Sequence, residues 1–118
     1  MFVNSHNKLE ILDYGGGKGG FRDLMIQSGF NVDLFDPYVG ENKTSPDRKY
    51  DLMTSYEVME HIHDPKQTIR EMASLLKDDG MVIFSTVLLP IDFEYRGLFW
   101  PYICPRAGHI SILSLIHI

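Results

Sequence analysis

The first residues whose types and spacing could do chemistry form the run Asp13-Tyr14-Gly15-Gly16-Gly17-Lys18-Gly19-Gly20. Glycines at 15, 17 and 19 or 20 let the backbone turn with φ > 0 and let a ligand approach main-chain atoms that a Cβ would shield. Two cofactor classes fit these letters. Gly15-x-Gly17-x-x-Gly20 matches a dinucleotide fingerprint, whereas Asp13-x-Gly15-x-Gly17-x-Gly19 matches the acidic-glycine loop of enzymes that use S-adenosylmethionine (SAM). The carboxylate favours SAM. At the end of an apolar strand it is costly to bury without a partner, and a cationic, amine-bearing ligand supplies one, while a pyrophosphate needs no carboxylate there. A tight turn without a ligand is the plain alternative.

A second cluster is Glu57-Val-Met-Glu60-His61-Ile-His63. If Glu57 to His61 form a helical turn, Glu57 faces Glu60 and His61 at i+3 and i+4. Such a group can orient a ligand amine, act as acid and base, or hold a divalent ion. The ion is the weaker option, because two carboxylates and one histidine are common on solvated surfaces, and no metal is assigned; a polar turn is the bland alternative. His63 reads as an exposed loop residue. Further on, Phe99-Trp-Pro-Tyr-Ile-Cys-Pro-Arg-Ala-Gly-His109 is rich in aromatics and proline. It can build a substrate lid with His109 as a base, or Trp100 and Tyr102 can simply pack the loop onto a sheet.

These residues need elements to position them. Residues 9–14 read as a buried strand, and 20–28 as a helix with Phe21, Leu24 and Met25 at helical spacing and Gly29 as its stop. Residues 30–36 alternate with a β period up to Asp36-Pro37. Asp36 then sits at a strand's carboxyl end beside the glycine loop, where it can accept hydrogen bonds from ribose hydroxyls; a solvated turn aspartate is the alternative. Residues 50–56 form the next strand. Asp64-Pro65 starts a helix with Asp as N-cap, Pro at N1, Ile69, Met72, Leu75 and Leu76 on one face, and Gly80 at its close. Residues 81–88 read as an apolar strand buried on both faces. Alternating β and α elements predict an α/β, doubly wound, mostly parallel sheet with its ligand crevice at the strands' carboxyl ends.

Composition narrows the function classes. A formal net charge of −5 without any Lys/Arg cluster argues against nucleic acid as a partner. No apolar run reaches the length of a membrane span and the N-terminus has no signal-peptide core, so no membrane partner is expected. The single cysteine, Cys104, reads as a plain loop thiol, and one cysteine without paired spacings suits a reducing compartment. The expected location is cytoplasmic.

Four ordered segments carry a resemblance: Ile-Leu-Asp-Tyr-Gly-Gly-Gly-Lys-Gly at 11–19, Val-Asp-Leu-Phe-Asp-Pro at 32–37, Tyr-Asp-Leu-Met-Thr-Ser-Tyr-Glu-Val-Met-Glu-His at 50–61, and Leu-Leu-Lys-Asp-Asp-Gly-Met-Val-Ile-Phe-Ser-Thr at 75–86. The chain resembles class I SAM-dependent methyltransferases, in particular the small-molecule group that includes ubiquinone-biosynthesis O-methyltransferases. The resemblance implies a Rossmann-like fold and methyl transfer from SAM to an oxygen, nitrogen or carbon of a small-molecule acceptor. It implies that Asp13, Tyr14, Gly15, Gly17 and Gly19 shape the site for the methionine half of SAM. Asp36 would bind the ribose, and Tyr56 and Glu57 would lie along the sulfonium side. A base, His61 or His109, would deprotonate a hydroxyl acceptor. In the ubiquinone group, positions matching Glu57, Glu60 and His61 are associated with a divalent ion. Gly108-His109-Ile110-Ser111 looks like a Gly-His motif of many relatives. The rivals are an NAD-type oxidoreductase fragment, which predicts tolerance of Asp13→Asn, and a non-catalytic SAM-binding domain.

The chain departs from the pattern in two places, with no recognisable strand between Asp36 and Tyr50 and none of the strands that should follow Ser111. Leu113-Ser-Leu-Ile-His-Ile118 resembles the translation of a transposase-type sequencing adaptor. The expectation is a partial methyltransferase domain over 1–112, a non-native tail over 113–118 in which His117 has no function, and a natural protein that continues beyond about Ile112. A parallel sheet cut short in this way predicts an exposed, aggregation-prone edge.

Overall fold

Short apolar segments that end in glycine, proline or an acidic residue become strands here, and the segments between them with capped, amphipathic patterns become helices. In the computed structural model, residues 9–38, 43–97, 100–102, 108–109 and 111–113 are described. Strands β1 (Glu10–Tyr14), β2 (Asn31–Phe35), β3 (Tyr50–Tyr56) and β4 (Leu76–Ser85) form one sheet in the order β2-β1-β3-β4. Every pairing is parallel. Helix α1 (Gly20–Gln27) connects β1 to β2, and α2 (Pro65–Ser74) connects β3 to β4; a short α3 (Phe93–Arg96) follows. Because the chain leaves β1 to one side and returns on the other as β3, the strand order reverses between them. Their carboxyl ends therefore open the crevice of a doubly wound α/β sheet.

The larger buried cluster packs on one face of this sheet, and Ile11 and Val32 are buried on the other. Leu12, Tyr14, Phe35, Tyr50, Met53, Val58, Met59, Ile62 and Met72 form a continuous buried cluster. Burying each such large side chain stabilises by about 1.5–3 kcal/mol. The other face is thinner: α1 buries no residue fully, and Leu24 is 59% exposed rather than on its inner stripe with Phe21 and Met25. At the amino ends of the strands, Arg48 bonds Asp33 and Glu10 while Lys77 bonds Glu10 and Asp51. These ion pairs tie the four strands together away from the crevice.

Three expectations are corrected. Helix α2 ends at Ser74, six residues before Gly80, because Leu76 pairs with Tyr50 and starts β4 there. The pairing resumes at Leu52↔Met81, so two steps along β3 span five along β4, and residues 77–80 form an excursion from the ladder. Gly80 packs in this bulge, where a Cβ would stand 2.9 Å from the Lys77 carbonyl oxygen. Strand β4 is also not buried on both faces: Met81 is 61% and Ile83 44% exposed. It is the outer strand of the sheet among the described residues, so only one of its flanks is covered. Ile69, placed with Met72 on the inner face of α2, is half exposed beside an apolar groove of about 500 Å³ lined also by Ala73, Phe84 and Leu113.

Between Asp36 and Tyr50, the described residues 43–49 hold no strand. Leu113 pairs in parallel with Leu88, and its carbonyl accepts the Leu89 N–H at 2.7 Å. Among the described residues, no helix is long and apolar enough to cross a membrane.

Candidate functional site

The glycine loop runs from the end of β1 to Gly19, the N-cap of α1, with positive φ at Gly15, Gly17 and Gly19. Two of its glycines are required by close neighbours. Gly15 donates its N–H to the Phe35 carbonyl at 2.8 Å, and a Cβ there would stand 2.6 Å from Val58 Cγ2. At Gly16 a Cβ would stand 2.2 Å from Asp13 Oδ2 and 2.5 Å from Leu34 Cδ1. A side chain at Gly15 would displace Val58, and one at Gly16 would displace Asp13 and Leu34. Gly17, in contrast, faces open space at its Cβ position.

Two aspartates border this loop. Asp13 is 2% exposed; its Oδ1 accepts from Thr54 Oγ1 at 3.0 Å, and its buried Oδ2 has no hydrogen-bond partner among the described residues. Burial pushes its carboxyl above the usual range, against the opposing effect of the Thr54 bond. Asp36 lies at the end of β2, as its place before Pro37 suggested, and is 3% exposed. Its Oδ2 accepts the Gly17 N–H and its Oδ1 the Tyr38 N–H, both at 2.8 Å, so it ties the loop to the next strand. Tyr14 points the other way: its ring is fully buried in the core, edge-on to Phe35 with centroids 5.5 Å apart. Its side chain therefore belongs to the core face, and only its main chain borders the loop.

Across the crevice, Tyr56 is 40% exposed and its ring meets Phe21 edge-on at 4.9 Å, bridging the end of β3 and the start of α1. The helical turn expected over 57–61 is shorter than its pattern implied. It is a single 3-10 turn at Met59–His61, and Glu57 lies outside it with φ 53°. Glu57 accepts from Ser85 Oγ at 2.8 Å. Glu60 is 1% exposed and accepts from Thr86 Oγ1 at 3.3 Å. Burial acts to raise its carboxyl, but its own backbone N–H, Tyr102, Glu57 and the neighbouring His61 outweigh that and hold it below the usual range.

The two candidate bases come together although 48 positions separate His61 from His109. Their rings lie 5.0 Å apart. His61 Nδ1 lies 2.9 Å from the Gly108 carbonyl oxygen and His109 Nδ1 2.7 Å from that of Tyr102. A carbonyl can only accept, so each Nδ1 is the donor, which in the neutral tautomer leaves the lone pair on Nε2. Glu60, His61 and His109 also place one ligand atom each within 4.8 Å of one another. Such a carboxylate-imidazole set suits a divalent ion. His109 takes part in it, whereas Glu57 does not. His63 is exposed, as expected.

Phe93, Trp100, Tyr102, His109 and His61 form a row of rings, with successive centroids 6.1, 5.3, 4.2 and 5.0 Å apart. Trp100 is 8% exposed, so this indole packs inward. The segment is fastened to the 3-10 turn by the Ser111 N–H on the Glu60 carbonyl and by Ser111 Oγ on the Ile62 carbonyl. Cys104 and His117 lie outside the described residues. Gly16, Thr54 and Ser85 were missed by the sequence reading. The three consecutive glycines at 15–17 were a usable signal for Gly16; Thr54 and Ser85 carry none, since their roles arise only from pairing between strands.

A protein-family model described as a methyltransferase domain matches residues 3–117. Similar proteins include the ubiquinone biosynthesis O-methyltransferase of Escherichia coli O9:H4 (strain HS), 37% identical over 97 residues that cover 77% of this chain and 38% of that one. The protein of the same name from Saccharophagus degradans is 39% identical over 62 residues, covering 52% of this chain and 26% of its own. That of Citrobacter koseri is 37% identical over 74 residues, covering 58% and 31%. The chain thus spans between 26% and 38% of the length of these relatives. With a family match over nearly all its residues and a parallel sheet whose switch point carries the acidic glycine loop, this chain belongs to the methyltransferase-domain family.

Proposed function

We propose that this protein binds SAM at the carboxyl ends of β1, β2 and β3 and transfers its methyl group to a small-molecule acceptor. The observation that carries this reading is Asp13: a buried carboxylate with one unpartnered oxygen lies directly under the glycine loop. An amine-bearing cation is favoured beside it and a pyrophosphate is disfavoured, which separates SAM from a dinucleotide. Gly15, Gly17 and Gly19 shape the loop, Tyr14 contributes main chain, and Asp36 lies where a ribose would meet the end of β2. Tyr56 and Glu57 close the side toward the reacting atoms.

When bound, SAM supplies an electrophilic methyl group that leaves its sulfonium by in-line displacement. The chain's own contribution is to hold the acceptor, exclude water and receive a proton; positioning of this kind lowers a barrier by several kcal/mol. In the neutral tautomer set by their Nδ1 bonds, His61 and His109 each offer Nε2 as the base, and either takes the proton of an acceptor hydroxyl. The O-methyltransferase names of these relatives favour an oxygen acceptor over nitrogen or carbon. The acidic surface and lack of a basic cluster suit a small molecule rather than nucleic acid, and a cytoplasmic setting fits the single cysteine.

A second reading of the same three side chains is a divalent-ion site, favoured by the 4.8 Å cluster of Glu60, His61 and His109. A bound ion there would polarise an acceptor oxygen. Methyl transfer that survives exhaustive chelation supports the histidines as bases, and transfer lost on chelation and restored by a divalent ion supports the ion.

Calorimetric titration with SAM and separately with NAD, on the wild type and Asp36→Ala, tests the cofactor. Micromolar SAM binding that Asp36→Ala loses is the expected result. Binding of NAD but not SAM overturns it, and SAM binding with no product across acceptors leaves a non-catalytic binding domain.

A further inference from the structure

Glu57 is the one non-glycine residue with a positive φ among the described residues. A glutamate side chain gains nothing in the left-handed region, where Cβ crowds the following carbonyl. Such a conformation persists only where its surroundings over-determine it. Ser85, at the end of β4, does so. Its hydroxyl donates to Glu57 Oε1 at 2.8 Å, while the Glu57 N–H is shared between the Ser85 carbonyl at 3.1 Å and Ser85 Oγ at 3.2 Å. One serine thus holds the main chain and the carboxylate of the strained residue together.

The kink at Glu57 reaches both sides of the crevice. Directly after it the chain turns Val58 beneath the glycine loop, into the space a Cβ on Gly15 would need. The 3-10 turn that carries Glu60 and His61 begins one residue later. We propose that Ser85 is a positioning residue. By locking Glu57 in the left-handed conformation it sets the glycine loop through Val58 and the direction of His61 through the turn. The inference rests on the SAM-binding reading above, and Ser85 acts in it through Glu57.

The test is SAM titration of the wild type, Ser85→Ala and Ser85→Thr, with Ser85→Ala repeated on a Glu57→Gly background, together with amide hydrogen exchange of the same proteins without cofactor. Ser85→Ala is expected to weaken SAM binding about tenfold, the scale of one hydrogen bond to a charged group. It should also speed exchange at Glu57 and Gly15 while leaving α2 unchanged. Ser85→Thr keeps the hydroxyl and should restore both. On the Glu57→Gly background, where a left-handed backbone needs no clamp, Ser85→Ala should add no further loosening. Unchanged exchange in Ser85→Ala, an equal effect in both backgrounds, or no rescue by threonine would overturn the proposal. A wild type that does not take up SAM would sink the SAM reading, while the exchange comparison still decides whether Ser85 holds the loop.

Discussion

Asp36 fastens the glycine loop through the Gly17 N–H, while Asp13 lies beneath it and bonds to Thr54 of β3. The Asp13 Oδ1 is satisfied by Thr54 and its Oδ2 is buried without a hydrogen-bond partner among the described residues, so burial pushes its carboxyl above the usual range. A folded-state value raised above the ordinary 3.8 means that the native state binds more protons than the unfolded chain between the two values. Stability contributed by this group therefore falls as pH rises from about the ordinary carboxyl value through the raised one. Asp13→Asn keeps an acceptor for Thr54 and removes the buried charge. Its unfolding temperature at neutral pH is expected to equal or exceed that of the wild type, with a steeper rise of stability with pH across the carboxyl range in a series of melts, because the falling contribution of Asp13 is gone, while SAM binding drops at least about tenfold. Tolerance of this substitution in SAM titrations would count against the cation-binding role. The sequence exposed Asp13 because a charge at the end of an apolar strand is conspicuous on its own. It hid Thr54, an ordinary strand residue whose role comes from lying opposite Asp13 in the β1–β3 register.

At the scale of elements, local rules held where local chemistry decides and failed where pairing decides. Asp64 caps α2 as its place before Pro65 implied, accepting the Gln67 N–H at 3.0 Å. Asp64→Ala should cost about 1 kcal/mol in urea unfolding and leave the SAM dissociation constant unchanged, since the cap lies outside the loop. The other end of α2 was not legible. Gly80 has the form of a helix stop, yet the bond from the Tyr50 N–H to the Leu75 carbonyl and the pairing of Tyr50 with Leu76 end the helix earlier. The glycine serves the bulge instead. Glu57 shows the same division: its spacing to Glu60 and His61 suited a helical turn, but the bonds to Ser85 hold it outside one.

For the whole molecule, alternating patterns were enough to predict a parallel sheet and the place of its crevice, because both follow from the order of elements. Contacts between distant segments were not. Nothing in the composition of 100–113 specifies that His109 meets His61 edge-on or that Ser111 bonds to the turn. The exposed face of β4 was equally hidden, since a run of apolar β-branched residues reads the same in a central strand and an outer one. Met81 and Ile83 leave that outer strand with apolar side chains in water. Ile83→Lys should slow concentration-dependent aggregation, read by light scattering, and leave SAM binding within about twofold, because edge charges oppose strand-to-strand association. An unchanged aggregation rate would place the sticky surface elsewhere. The row of rings from Phe93 to His61 has an optical consequence. Trp100 is the sequence's single tryptophan and stands next to Tyr102, whose ring touches His109. The protein therefore carries an intrinsic fluorophore two rings from His109 and three from His61, and its emission reports, without any label, whether the segment that brings them together is docked.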